Sequence, residues 1–321
     1  MPAVEVGVAL PVRESAMLGH RDASPLTDKA KQVEELGYDS VWVGDSFVAR
    51  HRLEPLTLLA AITMVTERVS VGTAALTASL RDPLALAHTV ATLDQLAVGR
   101  LRLGLGVGAP LPVAEEHAAV TMSYRERVDR VDEAVRLWKR SWRGERGELV
   151  GRYADLTGLR DQSPPFTPGG PPVWMASNGK PGAVARAGAL YDGWLPVRID
   201  PDEYHRSWQD IRAAATAAGR DPDTITPALY VTAFIDEDDD AARAGLEAYT
   251  HRYNNLPLAP MTDYQLYFGG SAARFTRWLG EYVDAGARHV VLRMGSFDDY
   301  DHHVRVIADE VVPALHESVP V

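Results

Sequence analysis

The chain contains no cysteine in 321 residues. That excludes disulfides, thiolate metal sites and cysteine nucleophiles, and it suits a reducing cytoplasm. Long apolar runs are missing too: stretches such as 56–65 fall well short of the roughly 20 residues that cross a bilayer. The opening Met1-Pro2-Ala3-Val4-Glu5 lacks the basic segment of a secretory signal. We therefore expect a soluble, cytoplasmic protein with no membrane partner. Basic residues are outnumbered, 33 Lys and Arg against 44 Asp and Glu, for a net charge of −11. Nucleic acid and anionic membrane surfaces are repelled overall, and only a local basic pocket for a single phosphate remains open. No His-Glu-x-x-His or comparable ligand cluster occurs, so no metal site is expected, and without Gly-x-Ser-x-Gly a hydrolase triad has no anchor. His302 and His303 are adjacent, which on a helix points them to different faces and makes them a poor metal pair.

What is present is a hydrophobic fraction of 46% and a regular alternation. Short β-branched runs are each followed by a longer helical pattern, the order that builds parallel sheets from βαβ units. Eight such pairs can be read, with strands expected at 4–10, 40–44, 69–75, 101–107, 173–177, 193–197, 226–234 and 289–294. Between them, apolar residues recur at three- and four-residue steps. Val128, Val131, Val135, Trp138 and Trp142 form one stripe, and Phe275, Trp278, Leu279, Tyr282 and Val283 form another, opened by Ser271 as an N-cap. Aromatics in such stripes read as helix-to-barrel packing rather than cofactor contacts. The acidic run 236–240 reads as a solvated cap at the positive end of the next helix. Two segments break the alternation: 144–172, rich in Gly and Pro with a hairpin expected at 149–159, and the polar 254–270. Neither reads as a linker, so the expectation is one α/β domain over 1–321, a (β/α)8 TIM barrel with two insertions.

In such barrels the carboxyl ends of the strands and the loops after them build the site. The fifth of these ends has the clearest chemistry: strand, then Ser177-Asn178-Gly179-Lys180, then a helix from Ala183. Free N–H groups at a helix start, with a hydroxyl and an amine beside them, suit a phosphate. An ordinary strand-to-helix turn would use the same Gly and Pro, and the segment alone leaves both readings open. Gly104, Gly106 and Gly108 form a Gly-x-Gly-x-Gly run on a strand, not the strand-to-helix fingerprint of a dinucleotide fold. Small residues there would let a flat ring approach the backbone.

Several blocks, in order along nearly the whole chain, resemble the bacterial luciferase-like family. They are Gly37-Tyr38-Asp39-Ser40-Val41-Trp42-Val43-Gly44-Asp45, Val71-Gly72-Thr73-Ala74-Ala75-Leu76-Thr77, and Arg81-Asp82-Pro83-Leu84 running into Ala91-Thr92-Leu93-Asp94-Gln95-Leu96. With them go Gly99-Arg100-Leu101-Arg102-Leu103-Gly104-Leu105-Gly106-Val107-Gly108, Pro171-Pro172-Val173-Trp174-Met175-Ala176 and Asp192-Gly193-Trp194-Leu195-Pro196. The resemblance implies a barrel that uses FMN or the deazaflavin coenzyme F420, often as a homodimer, with reduced cofactor supplied by a separate reductase. It implies a non-prolyl cis peptide at Ala74-Ala75 on which the ring rests. Asp45, Ala74, Ala75, Thr77, Gly106, Val107 and Gly108 would surround the ring or its ribityl chain, and Ser177, Asn178, Gly179 and Lys180 would hold the phosphate. Many F420-using relatives carry His after the strand-two Asp and Glu just past the fourth-strand glycines, where this chain has Ser46 and Ala109. That acid/base pair is absent as a pair, which argues against a sugar phosphate as substrate.

Ser46 and His51 are the candidate proton donors; a histidine in a loop, as His51 is, is more commonly a surface residue. Arg198 and Arg293, at the ends of strands six and eight, are candidates for an anionic substrate or cofactor group, unless neighbouring carboxylates pair with them. The expected function is a flavin- or deazaflavin-dependent oxidoreductase on a small, mostly apolar organic substrate, the cofactor supplying the redox chemistry. FMN would mean monooxygenation and F420 hydride transfer, and the sequence does not separate them. Two other readings stand beside it: a barrel that binds cofactor without turnover, and an unrelated barrel enzyme for a phosphorylated metabolite.

Overall fold

In a computed structural model we describe residues 3–46, 51–107, 110–145, 147–159 and 163–317. Among the described residues there are ten strands: β1 Glu5–Ala9, β2 Ser40–Val43, β3 Ser70–Thr73, β4 Leu76–Thr77, β5 Leu101–Gly106, β6 Val173–Met175, β7 Gly193–Trp194, β8 Thr226–Ile235, β9 Tyr267–Gly270 and β10 His289–Met294. All pair in parallel in the order β10-β1-β2-β3-β5-β6-β7-β8, and β8 pairs back to β10, which closes the barrel. The third barrel strand is split, since β3 and β4 both lie against β5 with Ala74 and Ala75 between them. All eight expected barrel strands are found: six are trimmed by one to three residues at an end, β10 has the expected bounds and β8 runs one residue further.

Two cores hold this arrangement. Strand faces and helix stripes make the outer one, where Val131, Val135, Trp138 and Trp142 of the helix Arg127–Trp142 and Phe275, Leu279, Tyr282 and Val283 of Ala272–Asp284 are all buried. These stripes pack as their spacing predicts, and the Trp138 indole donates to the Pro83 carbonyl at 2.8 Å. The barrel lumen makes the other core, with Ala9, Trp42, Trp174, Leu195, Ala228, Tyr230 and Val291. The indoles of Trp42 and Trp174 lie 5.2 Å apart, in space that Gly72 and Gly193 leave open. A Cβ on either glycine would stand within 2.5 Å of an indole carbon. Below them Trp42 donates to Ser40 Oγ at 2.7 Å, and Ser40 meets His289 at 2.9 Å. The lumen is thus plugged, and a ligand entering at the carboxyl ends of the strands is held at the mouth.

Helix ends follow the expected chemistry. Ser271 accepts from the Arg274 N–H, and Asp238 accepts from the N–H groups of Asp240 and Ala241, so the acidic run is a cap. Among the described residues of the segment 144–172, where a hairpin is expected at 149–159, there is one antiparallel bridge, Val150 to Asp155, with backbone bonds from Gly151 to Ala154 and from Leu156 to Leu149. The segment 254–270 is not simply a polar loop. It holds a short helix, Leu258–Met261, and the strand β9, which pairs with β8 along Thr232–Ile235. β7 pairs with only Thr226 and Pro227 of β8, so the rest of that edge is open and β9 takes it. Tyr-Phe-Gly-Gly is too short and too rich in glycine to show a period of two.

Candidate functional site at the barrel mouth

The split third strand makes a ledge at the carboxyl ends of the strands. The Ala74-Ala75 peptide is cis, as the resemblance implies, and both alanines are half-buried. Asp45, two residues past the end of β2 at Val43, braces this ledge. Its Oδ2 accepts from the Thr77 N–H at 2.8 Å and from Arg81 Nη1 at 2.7 Å, and its Oδ1 accepts from Arg81 Nη2 at 3.2 Å. Both carboxylate oxygens are therefore engaged by protein. Burial alone would lower the Arg81 pKa, but Asp45 and Glu54 hold it above its ordinary value. Thr77, in β4, pairs with Gly106 at the end of β5, and Val107 follows half-buried. Gly108 lies outside the described residues. Gly104, which the sequence suggests as a ring approach, has a packing reason: a Cβ there would stand 2.1 Å from the Thr73 carbonyl oxygen.

The loop after β6 keeps some of its expected donors free and commits others. Ser177 Oγ is buried without a hydrogen-bond partner, while its carbonyl accepts from the Trp194 indole at 2.8 Å. Asn178 Oδ1 accepts from the N–H groups of Val197 and Arg198 at 3.2 and 3.1 Å, so it ties this loop to the exit of β7. Only its amide nitrogen is left for a ligand. Gly179 is required by close approach, since a Cβ would stand 2.3 Å from Ser207 Oγ. Lys180 is exposed and stands at the N-cap position of the helix Pro181–Leu190, with no capping bond from its side chain. An orphaned buried hydroxyl, an amine and a helix start fit the phosphate of a ring cofactor.

Of the proton-donor candidates, Ser46 is the better placed. Its Oγ donates to Glu116 Oε1 at 2.9 Å, and Glu116, on the helix Pro110–Ala119, is 2% exposed. A buried carboxylate therefore does reach residue 46, seven positions beyond the one inspected in the sequence. Beside it, His117 Nε2 lies 2.9 Å from Ser79 Oγ. His51 is exposed. Arg198 is half-exposed with Asp263 at 3.9 Å, whereas Arg293 makes no ion pair with any described residue and instead faces the rings of Tyr253 and Tyr230 at 4.9 and 5.4 Å. Among the described residues no group of three His, Asp or Glu is arranged to hold a metal ion.

Sequence reasoning missed Glu116, Arg13, Glu14, Arg52, Tyr249 and Tyr253. Three had a readable signal: Arg13 and Glu14 follow the first strand, and Arg52 lies in the loop after the second, both at the carboxyl side of the barrel. Tyr249 and Tyr253 stand four apart on the helix Asp239–Asn254, one face of it. A separate cavity of about 770 Å³, lined by Arg102, Arg136, Lys139 and Arg220, lies by the amino-terminal ends of β5, β6 and β8, away from the ledge.

Eight parallel strands closed on themselves, with these groups gathered at their carboxyl ends, place the chain among the (β/α)8 barrel proteins. Within that class it belongs to the luciferase-like monooxygenase family, whose profile matches residues 4–298. It is similar to an F420-dependent glucose-6-phosphate dehydrogenase of Kineococcus radiotolerans, 35% identical over 66% of this chain and 64% of the relative. An F420-dependent hydroxymycolic acid dehydrogenase of Mycobacterium tuberculosis is 33% identical over 68% and 61%. The chain thus spans less than two thirds of the length of these two relatives. Among solved structures, an F420-dependent secondary alcohol dehydrogenase in complex with an F420-acetone adduct superposes with a TM-score of 0.82 over 99% of this chain and 100% of that one, at 22% identity. The FMN-bound oxygenating constituent of 3,6-diketocamphane monooxygenase from Pseudomonas putida gives 0.72 over 97% and 98%, also at 22%. These two likenesses are of fold. No described helix is long and apolar enough to cross a membrane.

Proposed function

We propose that the chain is an F420-dependent oxidoreductase that exchanges a hydride with the carbinol or carbonyl carbon of a small organic substrate in the barrel mouth. The observation that carries this is the side-by-side placement of the ledge on the third strand, Gly106 on the fourth and the orphaned Ser177 hydroxyl after the fifth. The choice of F420 over FMN is supported by the relatives whose names specify F420.

When bound, F420 supplies a two-electron hydride acceptor or donor. Everything else falls to the chain. Ala74, Ala75, Gly106 and Val107 offer a flat apolar seat, and Asp45 holds that seat through Thr77 and Arg81 as a positioning residue. Ser177, Lys180 and the Asn178 amide hold the phosphate. Ser46 Oγ accepts the hydroxyl proton of an alcohol while passing its own to Glu116 Oε1, and the reverse path delivers a proton to a carbonyl oxygen. The reading also takes residues 1–321 as one barrel domain that acts as a cytoplasmic homodimer and draws reduced cofactor from a separate enzyme.

Fluorescence titration of the purified protein with F420 and FMN tests the cofactor. F420 is expected to bind more tightly, and Ser177→Ala and Lys180→Ala are each expected to weaken it about tenfold or more, the cost of a lost charge-assisted hydrogen bond. Preference for FMN would move the reaction to monooxygenation, and no binding of either would leave an unrelated phosphate site. Binding without turnover of any alcohol or ketone would favour a cofactor carrier.

A further inference from the structure

Three arginines, one from the helix Val12–Met17, one from the loop after β2 and one from β10, converge on one tyrosine at the barrel mouth. Arg13, just past β1, places Cζ 4.1 Å from the Tyr253 ring centroid, and Arg293, near the end of β10, places its own at 4.9 Å. Arg52, from the loop after β2, donates from Nη2 to the Tyr253 hydroxyl at 2.6 Å. Gly44 makes the passage for it, because a Cβ there would stand 1.9 Å from Arg52 Nη1 and 3.6 Å from the Ala74 carbonyl oxygen. The Arg52 guanidinium is therefore a neighbour of the ledge itself.

The charges at this point are unequal. One carboxylate, Glu14, stands among three guanidinium groups: its Oε1 accepts from the Tyr249 hydroxyl at 2.7 Å, Tyr249 stacks on Tyr253 at 5.0 Å, and its single charge helps keep Arg293 protonated. Neither Arg52 nor Arg293 makes an ion pair with a described carboxylate, the Arg293 side chain makes no hydrogen bond to a described residue, and Arg52 Nε is buried without a partner. Arginine cannot relieve such a position by losing its proton, so the cations stay charged beside one another. Aromatic faces offset part of that cost. A planar oxyanion offset by two forked guanidinium groups would satisfy the rest.

We propose that Arg52 and Arg293, with Arg13 behind Tyr253, form an oxyanion subsite that selects substrates carrying a carboxylate or phosphate a few bonds from the reacting carbon. This deepens the proposed function and rests on it, and it replaces the expectation of a mostly apolar substrate. The same chemistry could instead grip an anionic part of the cofactor, so the test separates the two sources.

Inorganic phosphate and benzoate are titrated calorimetrically into the protein with and without saturating F420. The expected result is that at least one binds in both states, and that Arg52→Gln and Arg293→Gln each weaken it about ten- to hundredfold. Arg293→Lys, which keeps the charge but not the fork, should recover part of the loss, and circular dichroism confirms that each variant is folded. Failure of both anions to bind would overturn the subsite. So would displacement of the bound anion by F420 with a matching loss of F420 affinity in Arg293→Gln, which would assign the cluster to the cofactor. Because the readout is anion binding, failure of the redox reading would leave this result standing and be told apart from it.

Discussion

Replacing Asp45 by Ala separates a brace from a ligand. The Asp45 side chain is 1% exposed and that of Arg81 12%. Removing the carboxylate leaves Arg81 with Glu54, at 3.1 Å and 43% exposed, and leaves the Thr77 N–H without its acceptor. Breaking a buried pair by deleting one partner costs about 3–5 kcal/mol. Retained contact with Glu54 places this case near the lower end, about 3 kcal/mol. With an unfolding entropy of about 2.1 cal/mol/K per residue over 321 residues, that loss lowers Tm by about 4–5 °C. Asp45→Asn, which keeps an acceptor for Thr77 while removing the charge, should fall between the variant and the wild type. Differential scanning fluorimetry and F420 titration on the same samples give the two readouts. Loss of Tm with a proportionate loss of binding fits a brace. An unchanged Tm in Asp45→Ala would refute the reasoning, and lost cofactor binding alongside it would make Asp45 a direct ligand.

Four other outcomes follow from the same geometry. Burial first, and then neighbouring His302, lower the His303 pKa from 6.5 to about 4, against the opposing pull of Asp299 and Asp236. The unfolded chain takes up that proton first on acidification. Stability present above pH 6.5 is therefore lost as pH falls towards 4, by up to about 3 kcal/mol, and His303→Leu should flatten that part of a Tm-against-pH curve. Gly104→Ala drives a Cβ into the Thr73 carbonyl, a backbone atom that cannot swing aside, and should lower stability by about 1–3 kcal/mol or prevent soluble expression. Gly44→Ala clashes with the end of the Arg52 side chain, which can turn aside at the loss of its bond to Tyr253, and not with backbone. It should cost about 1 kcal/mol or less in urea unfolding, yet weaken phosphate or benzoate binding by expelling that guanidinium. Glu116→Gln removes the proton acceptor of Ser46, and kcat should drop about a hundredfold with KM little changed; an unaltered kcat would remove the pair from the reaction.

Much of this protein was determined locally by its sequence. Alternating β-branched runs and three- and four-residue apolar stripes specify strands and helices through side-chain direction alone, so eight barrel strands, two aromatic stripes, the cap at Ser271 and a cap somewhere in the acidic run 236–240 were readable. The strand ends at Ala74-Ala75 and Ser177–Lys180 were readable as places to look, since each is a contiguous segment, whereas the cis peptide at Ala74-Ala75 came from the family resemblance and the loop alone left phosphate binding and an ordinary turn both open. Only the closed barrel decided the rest. β9 exists because β8 outruns β7, a difference in strand length that no single segment carries. Asp45 faces Arg81 and Thr77, Ser46 faces Glu116 seventy residues away, and Asn178 turns its carbonyl to the exit of β7. The arginine cluster is the clearest instance. Arg13, Arg52 and Arg293 are far apart in the chain and ordinary where they stand, and they become one site because closing β10 onto β1 brings the first and last strands of the barrel together around Tyr253.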